Sequence, residues 1–278
     1  MRNHLFGIAA FAALAVSGSA QAADGADNAA WNGFYVGAGA GFRNSQTDVT
    51  TTAIDVGGTV FPFHRPPLSF NGTAFRVSPY VGFNWQIAPQ WIVGPEGDYG
   101  FAHDSSTVLG QGFTPRGPLG PINTRNIADS LVVKAGWDAS LRARAGFLFT
   151  PSILGYLTGG VAWQHYNLTS TCSTASSVFL GTGDCSKNDL FNPTGFDVGP
   201  PVIKNSVTQT GWTIGGGLET VLWDNWLLRA EYRYADFGSS PFSTVRTALG
   251  GVGSTEGTHA KVAMQTHTVT FGIAYEFN

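Results

Sequence analysis

From Thr266 the chain reads THTVTFGIAYEFN, with Val269, Phe271, Ile273, Tyr275 and Phe277 alternating with Thr268, Thr270, Gly272, Ala274 and Glu276. A period of two puts the first set on one face of a β-strand and the second on the other. The pattern marks eight segments: residues 32–44, 74–87, 91–102, 136–149, 153–165, 208–222, 226–237 and 265–277. All are long enough to cross a bilayer as tilted strands, which takes about 9–11 residues. Their connections alternate in length. Residues 88–90, 150–152 and 223–225 form tight turns, whereas 45–72, 103–134, 166–207 and 238–264 are long. Short turns on one side and long loops on the other are the layout of an outer-membrane barrel, and an even strand count puts both ends of the sheet on the short-turn side.

The two faces differ in kind. In 226–237, Leu228, Ala230, Tyr232 and Tyr234 oppose Arg229, Glu231 and Arg233; in 136–149, Trp137, Ala139, Leu141, Ala143 and Ala145 oppose Asp138, Ser140, Arg142 and Arg144. Trp91, Val93, Tyr99 and Phe101 oppose Glu96 and Asp98, and Phe75, Val77, Val81 and Phe83 oppose Arg76, Ser78 and Asn84. In a barrel the apolar face meets lipid and the ions point inward. The expected fold is therefore all-β, an eight-stranded antiparallel transmembrane barrel. Its expected lumen charges are Arg43, Arg76, Arg142, Arg144, Arg229 and Arg233 against Glu96, Asp98, Asp138, Glu219, Glu231 and Glu276. Arg–carboxylate pairs can neutralise such an interior, and eight strands leave a lumen that side chains fill. A plugged ionic core is the first reading; a narrow or gated ion path is the alternative.

Trp85, Trp91, Trp223 and Trp226 stand beside the short turns, where an interfacial aromatic girdle belongs. Pro79 and Pro95 fall inside strands, where a closed barrel has no edge to tolerate a missing donor, so a bulge or local break is expected at each.

Export fits this picture. Arg2 and His4 precede the apolar run 5–16, followed by small residues and Ala20-Gln21-Ala22, the layout of a secretory signal. Residues 1–22 are expected to be removed, leaving 23–278 as a single barrel domain. Charged residues are 12% of the chain, about half the usual share. The formal charge of −3 argues against a nucleic-acid partner, which needs a basic stripe. His64, His103, His165, His259 and His267 show no H-x-x-H spacing, and no Gly-x-Ser-x-Gly elbow occurs, so no enzyme motif is present. Gly37, Gly39 and Gly41 share one strand face and do not open a helix, unlike a phosphate loop. Haem ligation by His64, His103 or His259, and a soluble β-sandwich binding module, are the rival readings.

Trp31-Asn32-Gly33-Phe34-Tyr35-Val36-Gly37, Gly82-Phe83-Asn84-Trp85-Gln86, Gly94-Pro95-Glu96-Gly97-Asp98, Leu141-Arg142-Ala143-Arg144-Ala145-Gly146, Thr158-Gly159-Gly160-Val161-Ala162, Gly211-Trp212-Thr213-Ile214-Gly215, Arg229-Ala230-Glu231-Tyr232-Arg233-Tyr234 and the last strand occur in that order. Together they resemble the small outer-membrane immunogenic proteins of alphaproteobacteria, a porin-like family of OmpA-like eight-stranded barrels. The resemblance covers every strand and little of the loops. It implies residence in the outer membrane, a structural and surface-exposed role, and haem binding, adhesion or porin activity in some members; the missing enzyme motifs, separately, lead to the expectation of a non-enzymatic protein without a cofactor. The partners it suggests are outer-membrane lipid, the barrel-assembly machinery and a host or surface ligand met through the loops, with the protein a monomer or weak oligomer. Pro95 replaces an aliphatic residue of the pattern, and Asn278 follows Phe277 where such chains end on the aromatic; insertion efficiency is the property that Asn278 would affect.

Individual function is expected in the loops, whose Gly, Pro and polar composition predicts mobile, solvated surface. Cys172 and Cys185 lie in one long loop of an exported chain, which predicts a disulfide. A metal pair is the alternative, although no nearby Cys or His completes a zinc set. Mass spectrometry of protein from its native envelope is expected to show these thiols joined; two free thiols would refute the bond.

Overall fold

The computed structural model describes residues 31–56, 59–62, 67–109, 130–171, 202–243, 246–247 and 255–277. The expected export signal, His64, Cys172, Cys185 and Asn278 lie outside the described residues. Among the described residues there are eleven antiparallel strands: β1 (Gly33–Val56), β2 (Thr59–Pro62), β3 (Leu68–Ala88), β4 (Trp91–Ala102), β5 (Asp104–Leu109), β6 (Ser130–Thr150), β7 (Ile153–Thr171), β8 (Val202–Trp223), β9 (Trp226–Ser243), β10 (Arg246–Thr247) and β11 (Thr255–Phe277). Eight long strands, β1, β3, β4, β6, β7, β8, β9 and β11, pair in sequence, and β11 pairs back onto β1 from Phe34↔Phe277 upward. The ring is closed. The other three are short additions at the loop end: β5 continues β4 along β6, while β2 and β10 flank β1 and β11.

The tight turns reduce to Pro89–Gln90, Pro151–Ser152 and Asp224–Asn225. Asp224 adopts φ 45°, a left-handed conformation that Asp tolerates in two-residue hairpins. Trp31 closes this end from inside: it is 1% exposed and donates its indole N–H to the Pro151 carbonyl at 2.9 Å. Trp85, Trp91, Trp223 and Trp226 face outward around the same rim, and Trp91 packs edge-on against Phe147.

At Pro79 and Pro95 there is a local break without a bulge. Pairing between β3 and β4 is interrupted around both residues, yet Val77↔Phe101, Tyr80↔Asp98, Gly82↔Glu96 and Trp85↔Val93 keep one register. Both prolines are exposed on the lipid side and pair normally on their other edge, Pro79 with Ala38 of β1 and Pro95 with Ala143 of β6. The missing donors thus fall on a single seam.

The strands continue well past the expected segments, all at the loop end. β1 has 24 residues, which at about 3.3 Å per residue is more than twice the tilted path through an apolar band of about 25 Å. Much of the sequence expected as solvated loop is therefore strand. The reason is a reversal of polarity. Near the turns the outward face is Phe34, Val36, Phe42, Phe75, Leu141, Leu157, Ile214 and Phe271. Toward the loops it becomes Asn44, Gln46, Asn71, Thr73, Asn167, Ser206 and Thr208, all exposed. The inward face changes in the opposite sense, from ions to a cluster of Val49, Phe70, Leu131, Val133, Tyr166, Leu168, Phe242, Val262 and Met264. The barrel is a membrane structure below and a water-facing barrel with an apolar core above.

Bulges mark the change. On β6, Ala135 pairs with Tyr166 and Asp138 with Gln164, so Gly136 and Trp137 together oppose His165. Inward positions are odd-numbered above this point (Leu131, Val133, Ala135) and even-numbered below it (Asp138, Ser140, Arg142). On β9 a bulge at Gly238, with φ 63°, shifts the inward parity from Phe237 to Phe242.

Arginine at Leu141, on the lipid face, is expected to cost about 2–4 kcal/mol, whereas arginine at exposed Gln46 should stay within about 0.5 kcal/mol. Urea unfolding in phosphatidylcholine vesicles measures both; equal costs would refute the boundary.

Candidate functional site

The candidate site is the lumen. Inward positions of seven strands deliver the charges: Arg43 from β1, Arg76 from β3, Glu96 and Asp98 from β4, Asp138, Arg142 and Arg144 from β6, Glu219 from β8, and Arg229, Glu231 and Arg233 from β9, with Glu276 from β11. The first eleven join one network.

Its upper lobe gathers on two aspartates. Asp138 accepts from Arg43 at 2.7 Å and from Arg76 at 3.0 and 2.5 Å, and Arg233 approaches it at 3.4 Å. Asp98 accepts from Arg76 at 2.5 Å, from Arg233 at 2.7 Å and from the Ser140 hydroxyl. The lower lobe is centred on Glu96, which takes a bidentate pair from Arg229 at 2.7 and 2.8 Å and a further bond from Arg142. Arg142 and Arg229 also bind Glu231, while Arg144 binds Glu219. Arg142, 3.7 Å from Asp98, joins the lobes. Each of these side chains is at most 8% exposed.

Glu276 is the exception. It is fully buried, and its carboxylate accepts from Asn84 at 3.4 Å with the second oxygen unpartnered. Six arginines therefore meet five carboxylates in direct contact, and the sixth acid stands apart at the turn end.

Tyrosines that sequence reasoning did not place in the site complete the network. Tyr35 donates to Glu96 at 2.8 Å and accepts from Arg144 at 3.1 Å; Tyr156 donates to Glu231 at 3.0 Å and accepts from Arg229 at 2.6 Å. Arg144 lies 4.1 Å from the Tyr156 ring centre and Arg229 4.6 Å from that of Tyr80, both within cation–π range. Each tyrosine faces a glycine across the ladder: Tyr35↔Gly82, Tyr80↔Gly37 and Tyr156↔Gly217. A Cβ at any of these glycines would run into the opposing ring, so the glycines let the phenols lie flat against the wall and reach the ions. An inward tyrosine opposite an inward glycine was the available signal, but using it requires the register.

Apolar layers close the network at both ends. Below are Trp31, Ile92, Leu148, Leu154 and Leu227; above is the cluster around Leu131, Tyr166 and Met264. Among the described residues no group of three or more His, Cys, Asp or Glu converges on a metal position. His103 follows β4, and His259 lies on β11. Chemically, the arrangement holds charge in place: its carboxylates bind guanidinium or hydroxyl donors.

Residues 8–277 match the outer membrane protein beta-barrel domain. The 31 kDa outer-membrane immunogenic protein of Brucella melitensis is 24% identical over 265 residues, covering 93% of this chain and 89% of the relative. The 22 kDa outer membrane protein of Rhizobium leguminosarum bv. viciae is 26% identical over 212 residues, covering 76% and 67%. Among solved structures, outer membrane protein OprG of Pseudomonas aeruginosa aligns with a TM-score of 0.42 at 13% identity over 89% of this chain and 98% of that one.

Replacing Glu96 by Gln removes the central negative charge shared by Arg142, Arg144 and Arg229, leaving them Glu231 and Glu219, and is expected to cost about 3–5 kcal/mol. Glu276→Gln removes no ion pair and should change stability by less than about 1 kcal/mol. Unfolding in detergent, followed by heat-modifiable gel migration, separates the two; equal losses would refute the assignment of Glu276 outside the network.

Proposed function

Because the chain belongs to the outer membrane protein beta-barrel domain family and resides in the outer membrane, we propose that it is a closed, non-enzymatic barrel that braces the envelope and displays its upper strands and loops outside the cell. The supporting observation is the packing of the lumen among the described residues, where a small gap beside Gly39, Thr270 and Gly272 adjoins the ions. Eleven charges are bound to one another, and the space above and below them is filled by buried apolar side chains. An ion path needs water or mobile ligands along its length, whereas here each ion would have to break buried Arg–carboxylate bonds, a costly step.

On this reading the external face does the work. The water-facing half lifts the loops above the lipid, so a host molecule or another surface component meets loop residues first. The relatives' description as immunogenic suits that exposure. Outer-membrane lipid and the assembly machinery are the partners this life cycle requires, and the closed ring leaves the eight-stranded wall with no free edge to recruit a second copy.

Planar-bilayer recordings of the folded protein are expected to show no stable conductance steps at neutral pH. Reproducible steps from the wild type would overturn the closed barrel in favour of a narrow pore.

A further inference from the structure

All six lumen cations are arginine, and all three described lysines, Lys134, Lys204 and Lys261, are exposed on the upper outer face. Arginine suits bidentate burial, while lysine presents a mobile, hydrated point charge. Two of the lysines flank a single strand. Lys134 on β6 pairs with Asn167 on β7, Asn167 pairs with Ser206 on β8, and Lys204 on β8 pairs with Thr169 one step further up. The ammonium groups therefore start from backbones about 10 Å apart across the sheet and about 7 Å apart along it. Between them lie the exposed amide of Asn167 and the hydroxyl of Ser206.

Their level relative to the lipid can be read from the side chains beneath. Ascending β7, the outward positions are Leu157, Val161, Trp163, His165, Asn167 and Thr169; descending β8 they are Lys204, Ser206, Thr208, Thr210, Trp212 and Ile214. Both strands pass from aliphatic through aromatic to polar within a few residues, which places the hydrocarbon boundary at the tryptophans. Below Lys134 outward aromatics form a row across β4, β6 and β7. Tyr99 stacks on Trp137 at 5.5 Å, and Trp137 on the His165 ring at 5.4 Å with planes 2° apart. His165 is held by both nitrogens, to Thr208 at 3.1 Å and Ser206 at 3.3 Å. The β6 bulge turns Trp137 outward to make this stack.

We propose that the β6–β7–β8 face binds the phosphorylated headgroup of an outer-leaflet glycolipid. Lys134 and Lys204 bind its phosphates, Asn167 and Ser206 its sugar hydroxyls and amides, and the Tyr99–Trp137–His165 stack supports the sugar ring at the hydrocarbon boundary. Paired lysines complement phosphate charge, the outer edges of the stacked rings form an aromatic floor at the hydrocarbon boundary, and the height of the cluster is where headgroups lie. The occupant is a membrane lipid, because the acyl chains of such a molecule would lie on the apolar band directly below.

The test uses full-length folded protein in detergent, titrated with lipid A, a bis-phosphorylated acylated glucosamine disaccharide, and followed by native mass spectrometry. Wild-type protein is expected to retain lipid A at near-physiological salt. The double variant Lys134→Ala with Lys204→Ala is expected to lose affinity on the order of tenfold, with heat-modifiable migration unchanged. Lys261→Ala should bind like the wild type, and dephosphorylated lipid A with the same acyl chains should bind wild-type protein no better than phosphatidylcholine does. The proposal is overturned if the double variant retains lipid A like the wild type, if Lys261→Ala loses as much, or if phosphate removal leaves wild-type binding intact.

Discussion

A guanidinium inside a barrel that is itself inside lipid is stabilised by the carboxylates that the surrounding wall supplies. Arg229 on β9 finds Glu96 on β4 across the lumen, and Arg76 on β3 finds Asp138 on β6. These two pairs tie together strands that are not neighbours in the ring, while Arg76 with Asp98 and Arg142 with Glu96 bridge adjacent ones. The ladder determines which strands touch; the ions determine how the far sides face one another, and thus the lumen cross-section. The tyrosine–glycine pairs serve the same end, giving three phenols the space to reach the network from the wall.

This network would be a liability in contact with water or hydrocarbon, and both ends are closed by apolar layers. The lower seal is local, with Trp31 inserted beneath the ions and hydrogen-bonded to a turn carbonyl. The upper seal is the core of the water-facing half, so the element that closes the lumen is also the element that raises the loops.

The polarity reversal links fold to surface chemistry. Below the boundary, outward residues are selected by hydrocarbon; above it, by water and headgroups. Trp137, placed by the β6 bulge, stands at the crossing, and exposed lysines lie just above it. Among the described side chains arginine is used where charge is paired and buried, lysine where it is exposed.

Much of this was legible in the residue pattern. A strict period of two with apolar and ionic faces identified the eight strands, the short-turn end, the aromatic rim and the inward position of all twelve charges, because in a spanning strand only one face can be ionic. Strand length was not legible. Beyond residues 44, 134 and 165 the outward face becomes polar and the inward face apolar, so the alternation persists with its meaning inverted, and Gly136–Trp137 and Gly238 shift its phase. Single-strand pattern also gave no account of the exclusion of Glu276 or the recruitment of Tyr35, Tyr80 and Tyr156. Which ion meets which, and which glycine opposes which ring, depend on register and on closure of β11 against β1, and those are properties of the sheet as a whole.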